Sequence, residues 1–216
     1  MLERMNKFFN KRIDGYEEHQ LNVIEGAKEF YPYTAECLPI RDGAKVLDLG
    51  CGTGLELDFY FRRNPTAKIT GIDLAEDMLK VLKDKFSDKE LVTICGSYFD
   101  ISFEKECYDA IVSVESLHHF TKEQKCSLYK KVYQALLHGG YFILTDYFAE
   151  TDEQEQFFKQ ELLRLKSEQG IYDNEFYHYD TPLTKANELQ ALTEAGFSSV
   201  EILAEWGATA TIKAVK

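Results

Sequence analysis

No stretch of these 216 residues approaches the ~18–20 consecutive apolar positions that a helix needs to span a bilayer, so no membrane-crossing segment is expected. The start, Met1-Leu2-Glu3-Arg4-Met5-Asn6-Lys7, lacks the apolar run of a secretory signal. Proline is scarce at 4 residues, glycine stands at 13, and there is no low-complexity tract or internal period. Collagen-like, disordered and repeat architectures are therefore poor fits. The five cysteines (Cys37, Cys51, Cys95, Cys107 and Cys126) are odd in number and form no C-x-x-C pair. Neither a zinc nor a disulfide framework is expected, and they read as the reduced thiols of a cytoplasmic chain. Positive charge is in deficit: 25 Lys and Arg against 37 Asp and Glu leave a net −12. A surface of that sign repels phosphate backbones, which argues against nucleic acid as a partner.

What is present suits one α/β domain with no dividing linker: 44% of residues are apolar and 29% charged. Residues 1–40 read as helical, with Phe8, Phe9, Ile13 and Tyr16 at helical spacing and a second run from Tyr16 to Phe30 ending near Pro32. Strands are expected at Lys45–Leu49, Lys68–Ile72, Leu91–Cys95, Tyr108–Val114 and Tyr141–Thr145. Helices alternate with them at about Leu55–Arg63, Glu76–Phe86 and, after the capping box Thr121/Gln124, to about Leu137. A second box, Thr151/Gln154, opens a long helix to about Gln169, and another helix covers Lys185–Ala195. Such alternation predicts a parallel sheet with helices on both faces. The final runs, Val200–Trp206 and Thr209–Lys216, are joined only by Gly207-Ala208, which permits an antiparallel hairpin and no parallel crossover.

The chemistry-bearing segment is Val46-Leu47-Asp48-Leu49-Gly50-Cys51-Gly52-Thr53-Gly54. Glycines after a first strand let main chain approach a ligand, and the following helix points unpaired N–H groups at it. The spacing is G-x-G-x-G, unlike the G-x-G-x-x-G of a dinucleotide site, so a nicotinamide-dependent oxidoreductase is the weaker reading. Asp48, two positions before the turn, is awkward for pyrophosphate and suits an ammonium or sulfonium group. Asp73 falls 19 residues after Gly54, near the offset at which a carboxylate meets a ribose diol. A ribose, an adenine and a cationic part without polyphosphate describe S-adenosylmethionine.

With Gly71-Ile72-Asp73-Leu74-Ala75-Glu76-Asp77-Met78-Leu79 following the glycine motif, the chain resembles class I S-adenosylmethionine-dependent methyltransferases. It is similar in particular to the small-molecule type represented by ubiquinone/menaquinone C-methyltransferases, over roughly residues 40–148. The resemblance implies a Rossmann-like seven-stranded sheet of order 3-2-1-4-5-7-6, with strand 7 antiparallel and helices on both faces. It implies that Gly50, Cys51, Gly52 and Gly54 line the methionine part, that Asp48 faces its ammonium, that Asp73 takes the ribose, and that Leu74 and Met78 flank the adenine. In the third motif, Gly96-Ser97-Tyr98-Phe99-Asp100, Ser97 stands where the family carries an acid, and the Tyr98 backbone or Asp100 is left to supply that contact. The fourth motif resembles Val112–Phe120 and the fifth Leu136–Leu144. Residues 1–40 correspond to a helical lid, and 149–184 to a substrate-side insertion.

Glu115, His118 and His119 close the fourth strand, where ligands bind in open α/β sheets, and are the candidate catalytic groups. Tyr16 and His19, at i and i+3, are candidates for the lid face, with Tyr147 and Tyr177 for the acceptor side. Cys51 reads as a small turn residue and Trp206 as structural. His118 and His119 are adjacent, so their side chains are expected to diverge, and no metal is expected. The predicted reaction moves a methyl group in line from sulfonium to a small-molecule acceptor, giving S-adenosylhomocysteine. A non-catalytic cofactor-binding sensor and a tRNA or protein methyltransferase are the other readings. The acceptor lies in the variable parts of the pocket, not in these motifs.

Overall fold

The computed structural model describes residues 1–216. Strands β1 (Lys45–Leu49), β2 (Lys68–Asp73), β3 (Glu90–Cys95), β4 (Tyr108–Val114), β5 (Leu136–Tyr147), β6 (Ser199–Trp206) and β7 (Thr209–Val215) make one sheet, ordered β3-β2-β1-β4-β5-β7-β6. Strands β1 to β5 pair in parallel, and β7 runs antiparallel to both β5 and β6. The two-residue link Gly207-Ala208 imposes that reversal. Around the sheet lie α1 (Met5–Asn10), α2 (Tyr16–Val23), α3 (Ala27–Glu36), α4 (Leu55–Arg63), α5 (Glu76–Lys85), α6 (Lys122–Ala135), α7 (Asp152–Glu168) and α8 (Lys185–Glu194), with a 3₁₀ turn at Leu117–His119. No helix is long and apolar enough to cross a membrane.

Side chains alternate across each strand and divide the core into two layers. Leu47, Leu49, Phe142, Leu144 and Ile212 pack beneath Leu128, Tyr129 and Val132 of α6 and Leu192 of α8. On the opposite face Val46, Ile69, Val112 and Ile143 meet Phe30 of α3, Leu57 and Tyr60 of α4, and Leu82 of α5. Within the first layer the buried Lys125 Nζ lies 2.6 Å from Glu188 Oε2, and the Tyr129 hydroxyl donates to the same carboxylate. This ion pair ties α6 to α8.

Three boundaries differ from the sequence reading. The run from Tyr16 breaks at Ile24–Gly26, and α3 then continues through Pro32 to Glu36. A proline costs that helix one backbone bond, and burial of Phe30, Tyr31, Thr34 and Ala35 outweighs it. Helix α6 ends at Ala135, because Leu136 is already extended and pairs with Tyr108. Strand β5 therefore starts five residues early and passes His138-Gly139-Gly140 as an irregularity in register.

Candidate functional site

The carboxyl ends of β1, β2, β4 and β5 converge on one edge of the sheet. After β1 the chain turns sharply, with the Gly50 N–H donating to Ile72 O (2.8 Å) and the Gly54 N–H to Cys51 O (2.8 Å). Gly50 has φ +77°, and a Cβ built there would lie 2.1 Å from Ser116 Oγ, so both backbone and space demand glycine. Asp73 closes the loop from β2. Its carboxylate accepts from the Gly52 N–H (2.9 Å) and the Ala75 N–H (2.7 Å). Burial raises its pKa and these N–H donors oppose the rise. A narrow cleft of about 50 Å³ runs between Gly50, Gly52, Asp73, Leu74, Met78 and Tyr98. Met5 and Phe9 from α1 and Tyr16 from α2 line its other side.

Four of the residues expected to line the cofactor stand behind this cleft instead. Asp48 shares the face of Val46, so it points toward α4, where its carboxyl faces Glu56. Burial first, and then the neighbouring Glu56 charge, push Asp48 well above the ordinary carboxylate range. Asp48 Oδ2 and Glu56 Oε1 are both buried without a partner. Cys51 is 3% exposed, with Sγ tucked against Gly71. Gly54 packs against Leu82 and Phe86 of α5, where a Cβ would meet Leu82 at 2.5 Å. Ser97 shapes a turn, its hydroxyl accepting from the Phe99 N–H (3.1 Å). Its neighbour Tyr98 faces the cleft, with its hydroxyl 3.1 Å from Ser116 Oγ.

A second cavity, about 750 Å³, adjoins the cleft and shares Phe9, Tyr16, Glu115 and His119 with it. His118, Tyr147, His19 and Trp206 also line it, whereas Tyr177 does not. Tyr177 faces a separate cavity beside Lys131 and donates its hydroxyl to Asp173 (3.1 Å). His178, from the same aromatic stretch Tyr172–Tyr179 that the sequence offers for the acceptor, takes its expected place together with Asp180, which the sequence does not single out. Asp146 was also missed, although its position two residues beyond the apolar Phe142–Leu144 of β5 was a usable signal. Its carboxylate accepts from the Leu117 N–H (2.8 Å), the His118 N–H (2.9 Å) and the Tyr147 N–H (3.0 Å), and lies 2.5 Å from His118 Nδ1. The 3₁₀ turn is thereby capped, and His118 Nε2 is left toward the cavity.

The electrostatics follow from this arrangement. Burial alone would lower His118, but the Asp146 charge outweighs it and raises the imidazole to about 9. Burial and the charge on His118 lower His119 to about 4. Glu115 rises to about 8, through burial and then the Asp146 charge. Its backbone sits at φ +48°, strained for a residue with a Cβ, and its carboxylate accepts from Thr209 Oγ1 at 3.4 Å. Adjacent His118 and His119 do not diverge as expected. Their ring centroids are 4.0 Å apart, and both face Asp180.

Residues 46–140 match the family described as a methyltransferase domain. The chain is 30% identical over 173 residues to a carboxy-S-adenosyl-L-methionine synthase of Trichodesmium erythraeum, covering 74% of this chain and 67% of that protein. A crystal structure of a candidate O-methyltransferase from Nostoc punctiforme superposes with a TM-score of 0.74 at 22% identity, over 99% of this chain and 62% of that one. Human N-acetylserotonin methyltransferase, solved with S-adenosylmethionine, gives 0.68 at 16% identity over 98% and 56%. This chain thus spans less than two thirds of either solved chain, and both likenesses concern the fold. The glycine turn, the Asp73 anchor, the strand order and the synthase relative agree: the chain belongs to the class I S-adenosylmethionine-dependent methyltransferases.

Proposed function

We propose that the protein transfers a methyl group to a small-molecule acceptor held in the 750 Å³ cavity. The observation that carries this reading is the adjacency of that cavity to the cofactor cleft, with Phe9, Tyr16, Glu115 and His119 common to both. Its volume is that of a small-ligand site, and the net charge of −12 disfavours a tRNA acceptor.

The cleft fits S-adenosylmethionine on three counts. Asp73 presents a carboxylate to a ribose diol, Leu74 and Met78 offer apolar flanks to a purine, and nothing lies within 4 Å of a Cβ at Gly52 except the Tyr16 hydroxyl. Asp48 lies beneath the loop with its carboxyl turned to Glu56 rather than to the ligand. When bound, this cofactor supplies a methyl group already activated by a positively charged sulfur. The work left to the chain is alignment and exclusion of water. Glu115 sits at the junction of the two spaces, and His118 and His119 turn ring nitrogens toward the acceptor. At about 50 Å³ the cleft is narrower than a nucleoside, so Met5, Phe9 and Tyr16 must draw back for entry. That makes residues 1–40 a lid, with residues 149–184 as the insertion that carries the acceptor wall. The Met5 N–H donates to Phe176 O (2.9 Å), and the His178 N–H to Glu3 O (2.9 Å), so the two segments are tied to each other. Five unpaired cysteines suit a reducing, cytoplasmic compartment.

The test is multiple-turnover formation of S-adenosylhomocysteine with a library of phenols, amines, thiols and activated carbon acids, followed by mass spectrometry. A methylated acceptor formed in step with S-adenosylhomocysteine supports the reading. Tight cofactor binding with no turnover would instead favour a sensor, and a mass increase on the cofactor itself would favour the chemistry named for the synthase relative.

A further inference from the structure

We propose that His118, His119 and Asp180 form a binding site for a divalent transition-metal ion on the inner wall of the acceptor cavity. His119 Nδ1 lies 2.8 Å from Asp180 Oδ1, yet without hydrogen-bond alignment, so both buried atoms remain unpaired. His118 Nε2 lies 3.7 Å from the same oxygen, and the three donor atoms stand within 4.8 Å of one another. Ligands held at the ~2.0–2.2 Å of metal–nitrogen and metal–oxygen bonds stand about 3–3.5 Å apart, so one ion reaches all three with small shifts. His119 is 7% exposed, and an unpaired ring nitrogen at that depth needs a partner.

The surroundings are those of a built site. Asp146 holds His118 Nδ1 at 2.5 Å, which fixes the ring and leaves Nε2 as the ligand atom. The Tyr147 ring packs against that of His118, with centroids 4.6 Å apart. The Thr181 N–H donates to His118 O at 2.7 Å, so the segment bearing Asp180 is pinned to the turn bearing both histidines. Two imidazoles and one carboxylate suit zinc, iron(II), nickel or cobalt better than magnesium or calcium. Three protein ligands leave open positions toward the cavity, so the acceptor class that the ion selects is one with two adjacent oxygens able to chelate it. The site shares His119 with the cofactor cleft, but the ion needs neither cofactor nor acceptor to bind, so the proposal stands or falls without turnover.

The experiment uses the tag-free full-length chain, stripped with a chelator and dialysed, with neither cofactor nor acceptor added. Cobalt(II) is titrated while visible d–d absorption is followed, and zinc is titrated calorimetrically. One ion per chain is expected, with affinity reduced at least 100-fold in Asp180→Ala and His119→Ala and about 10- to 100-fold in Asp146→Asn. His138→Ala, at an exposed position, should bind as wild type. A urea melt of each variant checks that it is folded, and Asp180→Asn, which preserves shape, should lose the ion as Asp180→Ala does. Substoichiometric cobalt with no d–d band, or variants that bind as tightly as wild type, would overturn the site. The cluster would then be an ion pair of histidines with Asp180.

Discussion

Asp73 offers the sharpest test of the cofactor cleft. In the ligand-free fold its two oxygens are engaged by the Gly52 and Ala75 N–H groups, and each oxygen retains a lone pair toward the cleft. Asp73→Asn preserves volume and one carbonyl acceptor. It also replaces the second oxygen with an NH₂ group that cannot accept, and it removes the charge that strengthens both ribose hydrogen bonds. A hydrogen bond to a charged group contributes about 1.5–3 kcal/mol, so losing one weakens binding by about 10- to 150-fold. Asp73→Ala removes both and should reach ~3–6 kcal/mol, beyond the range of direct titration. The assay is calorimetric titration with S-adenosylhomocysteine, beside a urea melt to confirm that each variant is folded at the working temperature. Asp73→Asn leaves the Gly52 or the Ala75 N–H without its acceptor, a cost of about 1–3 kcal/mol to the fold that the melt reads separately from binding. A folded Asp73→Asn protein that binds S-adenosylhomocysteine within about threefold of wild type would refute the assignment of Asp73 to the ribose.

Gly50→Ala should abolish cofactor binding, since its Cβ meets Ser116 Oγ at 2.1 Å and Ser116 Cβ at 2.6 Å; the double variant Gly50→Ala/Ser116→Gly should recover part of it, and an unaffected single variant would contradict the packing. Burial raises the carboxyls of Asp48 and Glu56, so the native state keeps a proton that the unfolded chain has released above its ordinary pKa of ~4. Stability from this pair is therefore full at or below that pH and falls as pH rises toward the raised native value, by up to about 1.4 kcal/mol per pH unit. Asp48→Asn should flatten the urea midpoint between pH 5 and 8 relative to wild type, and parallel curves would show that the pair does not hold a proton. Lys125→Met strands the Glu188 charge in the core and should cost about 3–5 kcal/mol in urea denaturation. Lys125→Met/Glu188→Gln keeps an acceptor for Tyr129 and should regain most of the loss; a single variant within about 1 kcal/mol of wild type would refute the buried-pair reading.

The sheet was legible because its signals are local and redundant. Lys45–Leu49 and Tyr108–Val114 carry apolar residues on both faces, as strands covered by helices do, and both are located to the residue. The link Gly207-Ala208 is too short for any connection except a hairpin, which fixed the direction of β7. The errors at Pro32 and Leu136 arise where tertiary packing outweighs a local rule. Proline in α3 is retained because its neighbours are buried, and the end of α6 is set by the partner that Tyr108 offers to Leu136.

The site was less legible for two physical reasons. The first is the parity of a strand. Asp48 was expected to face the ammonium group, yet it alternates with Leu47 and Leu49 and so shares the face of Val46 and α4. Its carboxyl meets Glu56 instead of the loop. The second is the geometry of a turn. Neighbouring side chains point to opposite faces in a strand, and His118 and His119 were expected to part on that pattern. They occupy a 3₁₀ turn, where successive residues rotate by about 120° and a bent path brings both rings over one side. Asp146 holds that turn by accepting the Leu117 and His118 N–H groups, and Asp180 arrives from more than 60 residues away to meet both rings. No spacing rule on a single segment can signal such a meeting. It depends on the Thr181 N–H reaching His118 O, and so on the path of the whole insertion between β5 and α8.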